Sequence, residues 1–203
     1  MKTFTAATKE KRLKTILDSS WDILFQRIAT GRVKLNEAAS LPRHYAAILR
    51  TYGRLLCMAT GETFTIAVEP AGATPGIDIT CALGEIRAAV ALDCFRKQTR
   101  RAPAAGMLKM LQHIDRLLSQ PDFSLRKFVC LTDDPSYANA SCPGSKGSLP
   151  GRAGGKYARH AVDPPSGRGV RKGGLRDRPA AFAEDIEFEW SNYKQWYFLA
   201  INL

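Results

Sequence analysis

Histidine, paired cysteine, acidic side chains and long apolar runs are all scarce in this chain. Three histidines, His44, His113 and His160, share no spacing, so each reads as a surface or helix-face residue rather than a general base. The five cysteines (Cys57, Cys81, Cys94, Cys130, Cys142) are odd in number, widely spaced and without a C-x-x-C pair, which argues against a zinc site. Four of them lie in apolar segments, where reduced cysteine behaves as a small hydrophobe, and a reducing cytoplasm is the expected location. No run approaches the ~18 apolar residues of a membrane span. The basic stretch from Met1 to Lys14 leads into a charged helix, not into the apolar core of a signal peptide. Neither G-x-x-x-x-G-K-[ST] nor G-x-G-x-x-G occurs, so nothing supports nucleotide binding through a glycine-rich phosphate loop.

The shortage of acid is the most consequential. Nineteen Asp and Glu stand against thirty Lys and Arg in 203 residues, a net charge of +11. Such a balance favours a polyanionic partner. The length is that of a single domain with a real core.

Hydrophobic periodicity divides the chain clearly. Lys9 to Ala29 places Leu13, Ile16, Leu17, Trp21, Leu24 and Ile28 at three- and four-residue steps, as an amphipathic helix does. A second helix ends near Ala59. It starts at Glu37 if Asn36 caps it, or at Leu41 if Ser40 does, and only the second choice puts Pro42 in the tolerated first turn. Glu62 to Glu69 alternates as a strand with Phe64, Ile66 and Val68 on one face, and Glu62 and Glu69 read as solvated. Ile77 to Leu83 and Ile86 to Phe95 are two more strands, joined at Gly84-Glu85 into an antiparallel meander. Met107 to Leu118 is helical and Lys127 to Thr132 a short buried strand.

Tyr137 to Pro179 differs in kind. It holds nine glycines and nine Lys or Arg against two Asp, a net of +7 (9 − 2), with almost no apolar periodicity. Such a segment cannot offset its ordering entropy by burial and reads as a mobile insertion, 137–179. Order resumes in 184–203, where Trp190, Trp196, Tyr197 and Phe198 read as core aromatics.

The candidate chemistry lies between Gly61 and Arg101. Asp78 and Asp93 sit on consecutive strands, where two carboxylates can share a divalent metal. Arg96, Lys97, Arg100 and Arg101 follow directly and suit phosphate groups. In the insertion, Arg168, Arg171 and Lys172 are further candidates for nucleic-acid contact.

Pro75-Gly76-Ile77-Asp78-Ile79 and Ala89 to Lys97, within a helix, three-strand meander, helix, strand order, resemble the core of the PD-(D/E)xK superfamily. The resemblance runs from Glu37 to Thr132 and resumes at the C-terminus. It implies an α/β, mixed-sheet, restriction-endonuclease-like domain with an N-terminal helical segment (1–35) and a long basic loop. It also implies a Mg²⁺-dependent endonuclease, with Asp78 and Asp93 as catalytic metal ligands and Glu37 as the upstream acid some members add. Double-stranded DNA is the expected partner, and a symmetric homodimer would explain double-strand cleavage most simply.

The chain departs from the family at the acid-x-lysine triplet. The acid falls on Ala91 and the lysine on Asp93. A methyl group ligates no metal, and an aspartate where a cation should offset phosphate charge adds repulsion. Either Lys97 or Arg96 reaches back to supply the charge, or catalysis is impaired. Lys97 lies about 13 Å along the strand from Asp93 at ~3.3 Å per residue. The rival expectations are a non-catalytic nucleic-acid-binding module and a basic structural or assembly protein.

Overall fold

The computed structural model describes residues 7–35, 37–69, 76–99, 103–139, 155–157 and 186–203. Helix α1 (Lys9–Ala29) begins at Thr8, whose hydroxyl accepts from the Lys11 N–H, and closes at Gly31, where φ is +75°. Its apolar stripe is buried from Leu13 to Ile28. Helix α2 (Leu41–Met58) carries Pro42 in its first turn. Ser40 precedes it without capping it, because its hydroxyl donates back to the Glu37 carbonyl at 2.6 Å.

Strands β1 (Phe64–Val68), β2 (Ile79–Leu83) and β3 (Ile86–Phe95) form the antiparallel meander. Helix α3 (Pro103–Leu118) then crosses over to β4 (Leu125–Thr132), which pairs with β3 in parallel. A short helix, α4 (Pro135–Asn139), is followed by β5 (Gly155–Tyr157), β6 (Ile186–Phe188), β7 (Trp190–Tyr193) and β8 (Trp196–Asn202). One mixed sheet runs in the order β1-β2-β3-β4-β8-β7, and β5 pairs with β6 separately.

Strand parity decides which layer each residue meets. Ala88, Val90 and Leu92 of β3 pack into the cluster formed with α1 and α2. Ala89, Ala91 and Phe95 point the other way, onto Met107, Met110 and Ile114 of α3. The C-terminal aromatics complete the first layer: Phe198 lies 4.0 Å from Phe25 and 6.3 Å from Trp21, centroid to centroid. Lys127 is buried in the same layer, with its ammonium on Asp18 of α1 and, at 3.3 Å, on Asn202.

Several boundaries differ from the sequence reading. β2 begins at Ile79 rather than Ile77, and α3 begins four residues before Met107. In β1 only Phe64 is buried, and Val68 is exposed. The alternation holds for Phe64 and for Ile66, which packs against the α1–α2 cluster, and fails only at Val68 at the end of this edge strand. Glu62 is not solvated but paired, both oxygens lying 2.7 Å from Arg12 Nη2, and Glu69 accepts from the Thr80 hydroxyl. Tyr137, read as the first residue of the insertion, is buried and stacks on Phe95 at 4.6 Å with 3° between the rings. Of the segment beyond it, the described residues include only Asn139 and its neighbours in α4 and the β5 strand; the rest of the 137–179 reading lies outside them.

The seat of Phe64 gives a direct test of packing. A Cβ on Gly53 of α2 would lie 2.5 Å from Phe64 Cδ1. Gly53→Ala gains about 1 kcal/mol of helix propensity but incurs an overpacking cost of about 1–3 kcal/mol. A lower urea midpoint is expected. A midpoint at or above wild type would show that Phe64 yields freely.

Candidate functional site

The site is built where β2 and β3 part. Gly76, at φ +83°, makes the turn into β2, and a side chain there would strike Arg116 Cβ at 2.7 Å. Asp78 follows, one residue ahead of β2. Its N–H donates to the Val90 carbonyl at 2.9 Å, which continues the ladder and sets it opposite Ala91. One carboxylate oxygen of Asp78 accepts the Leu92 N–H at 2.7 Å. The side chain therefore completes the ladder where a regular strand has not yet started.

Asp93 lies further along β3 on the face that meets α3, with its side chain 1% exposed. Lys109 Nζ sits 2.6 Å from its Oδ1 and His113 Nδ1 3.1 Å from its Oδ2. Lys109 and His113 are four residues apart on α3, the spacing that puts two side chains on one helix face. Asp78, Asp93 and Lys109 line one cleft of about 180 Å³, walled on the far side by Ala39, Leu41 and Pro42 at the start of α2. Asp78 and Asp93 thus lie on one cleft, which Ala91 does not line. Ala91, between them in register, is fully buried beneath α3.

Burial raises the Asp78 carboxyl above the usual carboxylate range, and Asp93 adds to the rise. The Leu92 N–H, His113 and Lys109 oppose it. A carboxyl whose folded pKa is raised stabilises the fold fully at pH below its unfolded pKa, and that contribution is lost as pH rises through the folded value. Ionised Asp78 thus works against the fold at neutral pH. Asp78→Asn, which keeps an acceptor for Leu92, is expected to raise the melting temperature at about pH 7 and to leave it unchanged at about pH 3. An equal shift at both would remove the electrostatic explanation. Burial pushes the Cys94 thiol, on the cleft wall, up to about 12 and raises Cys130 as well, which disfavours the nucleophilic thiolate.

The other sequence candidates are placed as follows. Glu37 is exposed, and the turn it opens presents Ala39 rather than Glu37 to the cleft. Arg96 is held within the fold: its Nε donates to Asp133 at 2.8 Å, its Nη1 donates to the Leu35 carbonyl, and it lies 4.9 Å over the Trp196 ring. Lys97 is exposed in the 3-10 turn beyond β3, with its N–H on Asp133 at 2.6 Å. Arg100, Arg101, Arg168, Arg171 and Lys172 lie outside the described residues.

The cation beside Asp93 is therefore Lys109, and not Lys97 or Arg96 reaching back. Lys109 escaped the sequence reading, and His113, read as a surface or helix-face residue, is instead largely covered and faces Asp93. The signal that could have found them is an i, i+4 pair of basic residues flanking the buried stripe Met110, Ile114 and Leu117.

As they stand, these residues do not fit a divalent ion. A direct Mg²⁺ ligand sits ~2.1 Å from the metal, but one oxygen of Asp93 already holds an ammonium and the other faces an imidazole. Ala91 contributes no ligand, and among the described residues no three His, Cys, Asp or Glu side chains gather in metal-binding geometry. No protein-family model matches the chain, and no curated protein and no solved structure matches it either.

Proposed function

We propose that this chain is a nucleic-acid-binding protein on a restriction-endonuclease-like framework, a catalytically impaired version of a Mg²⁺-dependent endonuclease. The contact between Lys109 and Asp93 carries this reading. An ammonium 2.6 Å from a carboxylate that is 1% exposed occupies the place a metal would need. The order α2-β1-β2-β3-α3-β4 supports the framework. One acid ahead of β2 and another on β3, both on one cleft, supports the ancestry. The net charge of +11 supports the partner, double-stranded DNA being favoured. Among the described residues no helix is long and apolar enough to cross a membrane.

A second reading, an active nuclease, is favoured by the same lysine. Lys109 brings to the cleft the positive charge that the strand lacks. Incubation of supercoiled plasmid with Mg²⁺ or Mn²⁺, alongside a gel shift, separates the two. Retarded but intact plasmid is expected. Metal-dependent nicking lost in Asp78→Ala would establish the enzyme instead, and no retardation at low salt would remove both.

A further inference from the structure

Strand β1 is the edge of the main sheet. β2 pairs with one side of it, and among the described residues no strand pairs with the other. The Glu69 N–H donates to the Asp78 carbonyl one step beyond the β1–β2 ladder, so by alternation Thr65 and Ala67 also bond toward β2. The two-residue turn at Gly84-Glu85 gives the same parity. It makes Leu83 and Ile86 a hydrogen-bonded pair and so turns Ala82 and Thr80 toward β1. The N–H and C=O groups of Phe64, Ile66 and Val68 therefore point outward from the sheet. We infer that this edge is a homodimer interface, in which β1 pairs antiparallel with β1 of a second copy around a two-fold axis at Ile66. The inference goes beyond the nucleic-acid reading and does not depend on it.

The edge lacks the features that block such pairing. Phe64–Val68 holds no charged residue and no proline, and its five residues pair one to one with Ile79–Leu83, without a bulge. The edge also fits itself. With Ile66 on the axis, Phe64 faces the partner's Val68, and each such pair exchanges two hydrogen bonds. Thr65 then faces the partner's Ala67, and Thr63 the partner's Glu69, so no like charges oppose along the ladder. Glu62 and Glu69 already have partners, in Arg12 and in the Thr80 hydroxyl.

Apolar surface collects at the same place. Of the five large apolar side chains exposed among the described residues, Val68 lies on β1, and Leu55 and Met58 lie on α2, the helix whose Gly53 seats Phe64. A two-fold axis perpendicular to the sheet keeps both α2 helices on one face, side by side. A bare ladder buries less than the ~1,200–2,000 Å² of a stable interface, and the helices add to it. An extended peptide on this edge would leave Leu55 and Met58 exposed, whereas a second copy brings its own α2 to cover them.

Sedimentation velocity of the full chain across a dilution series is expected to show a species of two 22.4 kDa chains. Val68→Pro removes an outward donor and leaves the bonds to β2 in place. The variant should dimerise at least about tenfold more weakly, and at high dilution should melt as wild type does. Ala67→Lys, which puts a charge at an exposed position of the edge, should weaken the dimer likewise. Oxidation reads the register. Thr65→Cys/Ala67→Cys sets thiols opposite one another at a non-hydrogen-bonded pair, where Cα atoms lie ~4.5 Å apart and a disulfide closes. Covalent dimer should exceed that of wild type, while Thr65→Cys alone should give little. A wild type that stays monomeric throughout would overturn the interface and leave the edge to an extended peptide. A dimer unchanged by both Val68→Pro and Ala67→Lys would place the contact on another surface. Equal cross-linking by Thr65→Cys alone would likewise overturn the pairing around Ile66.

Discussion

Ala91→Glu, the substitution that would restore the missing acid of the triplet, is expected to unfold the protein rather than activate it. Ala91 is fully buried between its neighbours, with Phe128 beside it on β4 and Met107, Met110 and Ile114 of α3 above it. Lengthening the side chain costs about 1–3 kcal/mol of overpacking. Burying a carboxylate without a cation adds several more, on the order of 3–5 kcal/mol. Together these approach the whole stability of an ordinary domain, roughly 5–15 kcal/mol. Near-UV circular dichroism should show the loss of tertiary packing, and Mg²⁺ should not restore it. Pairing it with Asp93→Lys would add a third basic group beside Lys109 and His113. A folded Ala91→Glu that nicks plasmid with Mg²⁺ would mean instead that α3 can lift away and that the site is latent.

Lys109→Ala should expose the other half of the same arrangement. It leaves Asp93 buried with only His113 to balance it. Breaking a buried pair costs about 3–5 kcal/mol. Here about 2 kcal/mol is expected, because Lys109 is 42% exposed and solvent already screens part of the pair. Denaturant titrations of wild type and variant measure it. In Lys109→Ala/Asp93→Ala the buried charge is gone with its partner, so the double variant should be more stable than the sum of the two single losses. Strict additivity would show that the two side chains are near each other without interacting.

What was legible in the sequence follows from periodicity. The ten residues of β3, apolar except for Arg87 and Asp93, lie between a glycine turn and a basic cluster, and the strand spans Ile86–Phe95 as expected. Period-two parity set Ala91 and Asp93 on one face, which is the face α3 covers. Lys109 and His113 were not legible, because the rotation of α3 over the sheet is set by Met107, Met110 and Ile114 settling on Ala89 and Ala91. No local pattern encodes that docking. β1 was legible in part: Phe64 is buried and Ile66 packs against the cluster as alternation requires, but Val68 lies at the end of an edge strand and stays exposed. Glu62 looked like an ordinary strand-flanking acid, and its partner Arg12 lies fifty residues earlier in the chain.

That Lys109 fills the place of a metal is tested most directly by melting wild type and Lys109→Ala across a Mg²⁺ titration. A ligand that binds only the folded state raises stability by RT ln(1 + [L]/Kd), about 2.7 kcal/mol at 100 times Kd. Wild type should show no saturable rise, while Lys109→Ala should recover part of its lost stability as Mg²⁺ takes the place of the ammonium beside Asp93. A saturable rise in wild type, matched or exceeded relative to Lys109→Ala, would contradict the assignment and return the cleft to a metal site.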